Sequence, residues 1–463
     1  YGNRAWPDES FLNNWREEVI GSGAQTYFTR VWNWLYQTIN SANTIINRGE
    51  NPSDDLDISQ EKLNRILAEA KTIRAWAYRH LTFLFGDVPL VLEESAGENV
   101  RTDWDRTPLA EVRAQIKTDL EFGVQFLPED HINDGKVIKA VAQHYLMEQL
   151  IMDNQLQDAI NLGLAAINGP KSLVTQRYGV KASEAGTPYT DMFLDGNANP
   201  SEGNTEALWV FQYAYEVEGG EGSNIMRRWF MSEYSSTSGG AKGLTVTVDR
   251  GGRGNTRLGA TSFMLGLYDR DAQGNILDDR GGEFAWRRYF TVQEFDRSSA
   301  GAVGTKLFLN EKPNDPQGDR FRVYTRKWDW AHEIDPQVPR SYNDQVYLRL
   351  ADTYLLLAEA YHKSGDNGSA AQYINALRAR ANATPIAVAQ VDMDFILDER
   401  ARELFSESQR RYTLLRNGNW MERTMQHNIA TKGKISERDK LYPIPQSFID
   451  ANLDKEIQNN PGY

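Results

Sequence analysis

Cysteine is absent from this 463-residue chain, which excludes disulfide bonds, thiolate catalysis and cysteine-bound metals. Basic residues are in the minority, because 51 lysines and arginines stand against 64 aspartates and glutamates, for a net charge of −13. This balance argues against nucleic acid as a partner, since proteins that bind it carry a basic footprint. No apolar run approaches the roughly 20 residues of a membrane helix. The first residue is Tyr1, so we expect any targeting segment to lie upstream of it.

Motifs of catalysis and cofactor binding are also missing from the sequence. There is no Gly-x-Ser-x-Gly elbow, no His-Glu-x-x-His metal motif and no complete phosphate-binding loop, and the six histidines are scattered. Asp269 and Asp271 begin a run that resembles a calcium loop, but its fifth position is Gln273 and its twelfth is Arg280, where a bidentate Glu is required. A plain turn explains this run better. We therefore expect no cofactor, no metal and no enzymatic activity.

Helical patterns occupy both ends of the chain. In residues 343–383, Val346, Leu350, Tyr354 and Leu357 recur at the spacing of one apolar helix face, and turn residues at 363–368 separate this run from a second one. The pattern predicts a helical hairpin of the tetratricopeptide kind, in which small residues let paired helices approach closely. Similar patterns predict further helices at 26–48, 57–85, 108–126, 136–152, 155–167 and 398–417, and a short last helix from 446.

The middle of the chain, residues 169–342, has a different character. Helical periodicity disappears, and Gly, Ser, Asn and Asp punctuate short apolar runs. We predict strands at 207–215 and 244–248, mobile loops at 219–223 and 235–243, and a tight turn at 269–277. Loops on a rigid scaffold often carry function, so a binding surface is expected here. The sequence thus divides into helical hairpins with an aromatic first loop (1–168), an irregular region (169–342), and a helical hairpin with an extended tail (343–463).

Aromatic residues are plentiful, with 12 Trp, 21 Tyr and 18 Phe. Several tryptophans are flanked by polar residues or prolines outside the clear helical patterns. Flat rings can stack on the apolar face of a sugar while Asn, Asp and Arg reach its hydroxyl groups. For each ring taken alone, packing in the core is the competing interpretation. The tryptophans with such neighbours are Trp6, Trp15, Trp104, Trp229, Trp286 and Trp330.

Five stretches, in order along the chain, resemble the SusD/RagB family of surface glycan-binding lipoproteins. Residues 32–47 (WNWLYQTINSANTIIN) are similar to the first helix of that family, and 69–91 carry its Arg-Ala…Phe-Gly-x-Val-Pro-Leu-Val pattern. Residues 348–365 match its Arg-x-Ala-Asp…Ala-Glu-Ala segment, and 399–418 match its Glu-Arg-x-x-Glu-Leu helix. Tyr-Pro-Ile-Pro at 442–445 and Asn-Pro-Gly-Tyr at 460–463 resemble its ending. No single motif is decisive, and the ordered set of five carries the resemblance.

The resemblance implies a mainly α fold, in which tetratricopeptide-like helix hairpins pack with a loop-rich region that contains short strands. It also implies a non-catalytic subunit that captures oligosaccharides for a SusC-like TonB-dependent transporter in the outer membrane. Such a subunit is held at the cell surface by a lipid on an N-terminal cysteine, which is not in this chain. Relatives that take peptides leave open a peptide-binding lid, and a glycoside hydrolase is a third hypothesis.

The ligand site of the family draws aromatic residues from the loop before the first helix and from the irregular region. By position in these segments, the resemblance places substrate-binding residues at Trp6, Trp15, Trp229 and Tyr234. No family motif determines these four residues. We predict that the first-loop pair faces the second pair across one shallow surface, and that the 235–243 loop closes over the ligand.

Overall fold

The computed structural model describes residues 2–3, 23–53, 57–97, 101–218, 224–238, 240–312, 319–328, 330–331, 333, 335–338, 340–407 and 409–463. Within them the chain is mainly α-helical, as predicted, and none of these helices combines the length and apolarity needed to span a bilayer. The helices are α1 (Gly23–Glu50), α2 (Gln60–Phe85), α3 (Leu109–Phe126), α4 (Lys139–Met152), α5 (Leu156–Ile167), α6 (Pro188–Asp191), α7 (Met226–Phe230), α8 (Ser262–Gly266), α9 (Leu350–Lys363), α10 (Asn367–Arg380), α11 (Met393–Leu404), α12 (Arg410–Arg416), α13 (Trp420–His427) and α14 (Gln446–Ala451).

The strands are short and form antiparallel pairs. In the described residues, β1 pairs with β3, β2 with β8, β4 with β7, and β5 with β6. The pair of β2 and β8 joins the irregular region to the start of the last helical segment, with Val210 opposite Val346. The strands are β1 (Gly2–Asn3), β2 (Ala207–Phe211), β3 (Leu258–Gly259), β4 (Trp286–Arg287), β5 (Tyr289–Thr291), β6 (Lys306–Phe308), β7 (Tyr324–Thr325) and β8 (Gln345–Arg349).

The first three helices pack side by side, with α2 in the middle. Ser59 caps α2 by accepting a hydrogen bond from the Lys62 amide, as expected for a serine just before an apolar periodic run. Because α2 is covered by neighbours, most of its C-terminal half is buried. Arg74 of α2 forms a bidentate ion pair with Asp119 of α3 at 2.8 Å and donates to Asn43 of α1 at 2.9 Å. One buried guanidinium therefore links three helices.

The predicted hairpins are present as α4–α5 and α9–α10, and α5 packs on α9. Gly163 of α5 allows this approach, because a Cβ atom at that position would lie 3.0 Å from the side chains of Leu357 and Met147. The largest apolar cluster contains residues from α1–α5, α9, β2, β8 and the tail. A second cluster lies in the irregular region and includes Phe405, which follows α11.

Several predicted elements differ from the structure. Val346 belongs to strand β8, and the helix begins only at Leu350, because β2 offers a hydrogen-bonding edge to residues 345–349. Residues 244–248 form no strand, since Leu244 and Thr245 donate to the Tyr234 carbonyl and the Asp296 carboxylate instead of a neighbouring ladder. The predicted loop at 219–223 lies outside the described residues, and the mobility of 235–243 stays a prediction.

The helix predicted at 398–417 is also different, because α11 ends at Leu404 and α12 begins at Arg410. Between them Ser406 adopts a left-handed conformation with φ of 67°. The carbonyl groups of Glu403 and Phe405 turn outward and accept hydrogen bonds from Lys327 at 3.1 Å. A tertiary contact from the irregular region therefore accompanies the break. The predicted turn at 269–277 is confirmed: Asp271 accepts bonds from the Gln273 and Asn275 amides.

Candidate functional site

Of the four residues predicted to bind the ligand, the structure describes Trp229 and Tyr234. Trp6 and Trp15 lie outside the described residues. Tyr234 is fully buried: its hydroxyl donates to the Gly252 carbonyl at 2.6 Å, and its ring lies 4.6 Å from that of Phe290. Burial also raises the pKa of Tyr234. Tyr234 therefore presents no ring face to a ligand in this structure, and the prediction that it forms a surface platform is corrected.

Trp229 is half-buried and reaches the surface from α7. The other side chains of this short helix hold it in place. Phe230 packs against Phe405, with ring centroids 5.8 Å apart. Arg227 is fully buried and donates to the carbonyl groups of Gly251 at 3.0 Å and Val338 at 2.5 Å. These contacts hold the backbone from which Trp229 projects.

Three arginine side chains lie close together beside α7, and one of them contacts the Trp229 ring. The guanidinium carbon of Arg257 lies 5.7 Å from the ring centroid, within the range of a cation–π contact. Burial lowers the pKa of Arg228, and the nearby positive charges of Arg253 and Arg257 lower it further, while Glu233 opposes this effect. We call Trp229, Arg228, Arg253 and Arg257 the Trp229 surface. It is a local concentration of positive charge on a protein whose net charge is −13.

Two glycines bring the arginine-bearing loop close to α7. Gly252 has φ of 78°, a conformation that favours glycine, and Gly254 lies against the backbone at Met231 and Ser232 with no room for a Cβ atom. The Asn255 amide donates to the Arg228 carbonyl at 2.7 Å. The Gly-Arg-Gly run at 252–254 therefore serves close backbone packing, with Arg253 exposed between the two glycines.

The start of the chain lies beside this surface. Strand β1 pairs with β3 so that Asn3 is opposite Leu258, the residue that follows Arg257. Trp6 is three residues after Asn3, and three residues span at most about 10 Å. The first loop therefore begins next to the Trp229 surface, as the prediction of a shared site requires. The position of Trp6 itself stays a prediction.

The other loop tryptophans are distributed over the molecule. Trp286 is buried, and its indole nitrogen donates to the Arg280 carbonyl at 2.8 Å, so it is a core residue. Trp104 is half-buried below the guanidinium of Arg101, whose carbon lies 4.2 Å from its ring. Trp330 is half-buried and lines a cavity of about 460 Å³ in the irregular region. Packing was thus the correct interpretation for Trp286.

Sequence reasoning overlooked the arginines. The signal was available as Arg227-Arg228-Trp229 and as Gly252-Arg253-Gly254, but only the tertiary contact of α7 with the 253–257 loop brings the two runs together. The described residues contain no group of three or more His, Asp or Glu side chains arranged to hold a metal ion. The arrangement at Trp229 offers a ring face and guanidinium donors, which suit a ligand rich in oxygen acceptors.

Residues 205–463 match the SusD family, which is more than half of the chain. The chain belongs to the SusD family. Residues 1–142 of this SusD-family chain also match a family described as starch-binding and associating with the outer membrane. SusD-like protein P25 of Formosa agariphila is 27% identical over 460 residues, with 93% of this chain and 79% of the relative covered.

Solved structures show the same fold at low sequence identity. Surface glycan-binding protein A from Bacteroides fluxus is 18% identical, with a TM-score of 0.68 and coverage of 94% of this chain and 85% of that one. A laminarin-binding SusD-like protein is 20% identical, with a TM-score of 0.66 and the same coverage. These similarities show the architecture, and the ligand of this SusD-family chain has to be argued from its own surface.

Proposed function

We propose that this SusD-family chain is a non-catalytic subunit that captures glycans at the Trp229 surface. The observation that carries the proposal is the half-buried Trp229 ring with the Arg257 guanidinium 5.7 Å from its centroid, next to the strand from which the first loop begins. A ring face stacks on the apolar side of a sugar, and guanidinium groups donate to its oxygens. Similar proteins whose names refer to starch, laminarin or surface glycans support this ligand class.

The cellular setting belongs to the same proposal. We expect the protein to lie at the outer surface of the outer membrane, held by an upstream lipid anchor, and to deliver its glycan to a SusC-like TonB-dependent transporter. The family description that mentions association with the outer membrane supports this location. Co-purification of the full-length lipoprotein with its transporter from solubilised outer membranes would test the partnership.

Affinity electrophoresis tests the glycan site. Native gels that contain soluble starch, laminarin or an acidic polysaccharide should retard the wild-type protein in at least one case. Trp229→Ala should weaken that binding about fivefold, since one aromatic contact contributes about 1 kcal/mol. Trp6→Ala should weaken binding to a similar extent and leave the melting temperature nearly unchanged.

Trp34→Ala is the matched control, because it removes another tryptophan that is 52% exposed, on α1. This variant should bind like the wild type. Equal weakening by Trp34→Ala and Trp229→Ala would contradict a specific site. The arginines add a second comparison: an acidic polysaccharide should be bound more tightly in low salt than in high salt, because exposed charge pairs are screened.

Two alternatives give different results in these experiments. A peptide-binding lid would be retarded by no polysaccharide and would bind extended peptides, whose backbone groups offer regular hydrogen bonds. A glycoside hydrolase would release reducing ends from a polysaccharide. Neither alternative has a feature in the described residues as specific as the ring and arginines of the Trp229 surface.

A further inference from the structure

Thr256 has a backbone conformation that is unfavourable for threonine. Its φ is 52°, in the left-handed region, where Cβ lies too close to the backbone and a side chain branched at Cβ is an outlier. Glycine adopts this conformation without that conflict, and it does so at Gly251 and Gly252 in the same loop. Thr256 is also buried. A threonine at this position therefore requires contacts that outweigh the cost of its conformation.

Hydrogen bonds hold both polar groups of the Thr256 backbone. Its amide donates to the Met231 carbonyl at 2.8 Å, and its carbonyl accepts a bond from the guanidinium of buried Arg322 at 3.0 Å. Met231 directly follows α7, the helix that carries Trp229. Because the Asn255 amide also donates to a carbonyl of α7, two consecutive residues of the loop are bonded to this helix and its end.

The hydroxyl group of Thr256 makes bonds that glycine cannot make. Its oxygen accepts a hydrogen bond from the Glu233 amide at 2.6 Å. Its single proton has two acceptors within reach, the carbonyl oxygens of Arg320 at 3.1 Å and Met231 at 3.3 Å. The hydroxyl thus connects the arginine-bearing loop to the end of α7 and to the chain at residue 320. Glycine would suit the backbone and lose these bonds, so the hydroxyl explains the choice of threonine.

The residue next to Thr256 is Arg257, whose guanidinium carbon lies 5.7 Å from the centroid of the Trp229 ring. On its other side Arg257 is followed by Leu258, which begins β3 and pairs with β1. Arg257 is therefore held between a bonded, left-handed residue and a strand. The Trp229 ring projects from α7, to whose end Thr256 is bonded. The relative position of the ring and the guanidinium thus depends on Thr256.

We propose that Thr256 is a positioning residue, which holds the Arg257 guanidinium at the Trp229 ring through its left-handed backbone and its hydroxyl. Residues in costly conformations persist where the surrounding structure determines them, and they cluster at ligand-binding sites. Groups that are fixed beforehand lose less conformational freedom when a ligand binds. This inference rests on the proposed glycan function and adds the residue that sets the geometry of the Trp229 surface.

Two substitutions separate the backbone of Thr256 from its hydroxyl. Thr256→Gly accepts the left-handed conformation and lacks the hydroxyl, whereas Thr256→Ser keeps the hydroxyl and lacks the branch at Cβ. Both relieve the steric conflict, so both variants should fold, and thermal unfolding checks this. Asn154→Gly is the matched control, because Asn154 is also left-handed, with φ of 58°, and is exposed in the turn between α4 and α5.

Fluorine NMR of the full chain labelled with 5-fluorotryptophan reports on the ring in the absence of any ligand. Trp229→Phe assigns the Trp229 resonance, and Arg257→Ala shows its position when the guanidinium is removed. We expect Thr256→Gly to move the resonance toward its position in Arg257→Ala. Thr256→Ser and Asn154→Gly should leave it where the wild type has it. Equal shifts in Thr256→Gly and Asn154→Gly would overturn the specific role of Thr256.

Native gels that contain the polysaccharide that retards the wild type give a second measurement. Arg257→Ala should weaken binding about fivefold and Thr256→Gly about threefold, as expected for the loss or loosening of one contact. Thr256→Ser should bind like the wild type. If Thr256 acts through Arg257, the double variant binds no more weakly than Arg257→Ala alone, because the effects of coupled residues are not additive. A double variant weakened about 15-fold, as for two independent effects, would overturn the inference.

The outcomes separate this inference from the proposed function. A Trp229 resonance that Thr256→Gly leaves unchanged overturns the positioning role, and retardation of the wild type would still support the glycan function. Retardation by no polysaccharide contradicts the glycan function, and a shifted resonance in Thr256→Gly would still support the positioning of Arg257. Equal loss of binding in Thr256→Gly and Thr256→Ser overturns the role of the hydroxyl.

Discussion

The helical part of this protein (23–167 and 350–463) and its irregular region (169–342) are stabilised in different ways. Helices satisfy their own backbone groups, so neighbouring helices meet mainly through apolar faces such as Leu357 against Gly163. The irregular backbone has few ladders and depends on side chains instead. Asn197, for example, is fully buried and bonds the backbone at Val180 and Asp191. Buried polar side chains therefore stabilise the backbone of this region, whereas regular backbone hydrogen bonds stabilise the helices.

A buried ionic network joins the two parts. Arg280 of the irregular region pairs with Asp278 at 2.7 Å, and with Glu399 at 2.7 Å and Glu403 at 3.0 Å on α11. Arg349 of β8 pairs with Glu403 at 2.5 Å and with Glu206 at 2.7 Å. Nearby guanidinium groups outweigh burial and lower the pKa of Glu399 to about 2. The comparison therefore predicts that the network adds strongly to the apolar contacts of β2 and Phe405 in holding the irregular region to the helices.

Arg280→Ala should produce the largest loss of stability. The substitution leaves Asp278, Glu399 and Glu403 as buried carboxylates with fewer counter-charges, and such a loss costs about 3–5 kcal/mol in the free energy of unfolding. Urea denaturation measures it. Arg48→Ala is the control, because Arg48 pairs with Glu94 at the surface with 72% of its side chain exposed. A loss below about 1 kcal/mol for Arg280→Ala would mean that the network contributes little to holding the irregular region to the helices.

Leu357→Ala should be the next most damaging change, and it acts on the helical part. Leu357 of α9 is fully buried against α5. Truncation removes apolar contact and leaves a cavity, which should lower the free energy of unfolding by about 3 kcal/mol. Leu453→Ala, at a position that is 79% exposed, should change the urea midpoint little. Similar midpoints for the two variants would contradict the view that apolar packing stabilises the helices.

Lowering the pH should destabilise the helical part, because it contains buried histidines. Burial lowers the pKa of His80 to about 3 and that of His144 to about 4. Below pH 6.5 the unfolded chain binds protons that these folded histidines do not, so stability falls as pH falls. At pH 5 the loss from His80 is about 2 kcal/mol.

His80→Gln should remove that part of the difference in unfolding free energy between pH 7 and pH 5. His362→Gln, at a half-buried position near the end of α9, should retain the wild-type difference. The ionic network follows at lower pH, since the pKa of Glu399 is lowered from 4.5 to about 2 and its stabilisation is lost between these values. A wild-type pH dependence in His80→Gln would mean that His80 is protonated in the folded state.

Prediction from sequence succeeded where structure depends on neighbours along the chain. The turn at Asp271 and the α9–α10 hairpin follow from local hydrogen bonds and helical spacing. Prediction from sequence failed where a residue far away along the chain competes with the local structure. Residues 345–349 pair with β2 instead of extending α9, and Ser406 interrupts a helix whose carbonyl groups bond Lys327.

The candidate sites show the same division. Sequence reasoning selected Trp229 and Trp330 as tryptophans with polar neighbours, and both are half-buried in the structure. It also selected Tyr234, which is buried because the 250–252 turn and Phe290 cover it. The arginines near Trp229 come from α7 and from a loop about 25 residues later, a distance along the chain over which composition carries no contact information.

By itself, the sequence determined the helical ends, the irregular middle and the resemblance to the SusD family, because these depend on periodicity and on motifs that are continuous along the chain. Only the tertiary structure decided which aromatic rings reach the surface, which carboxylates of α11 pair with Arg280, and which segments enclose the cavity that Trp330 lines. The physical reason is that burial and charge pairing are properties of residues brought together in space, and many of these partners, such as Arg280 with Glu399 and Tyr189 with Glu403, lie more than a hundred residues apart along the chain.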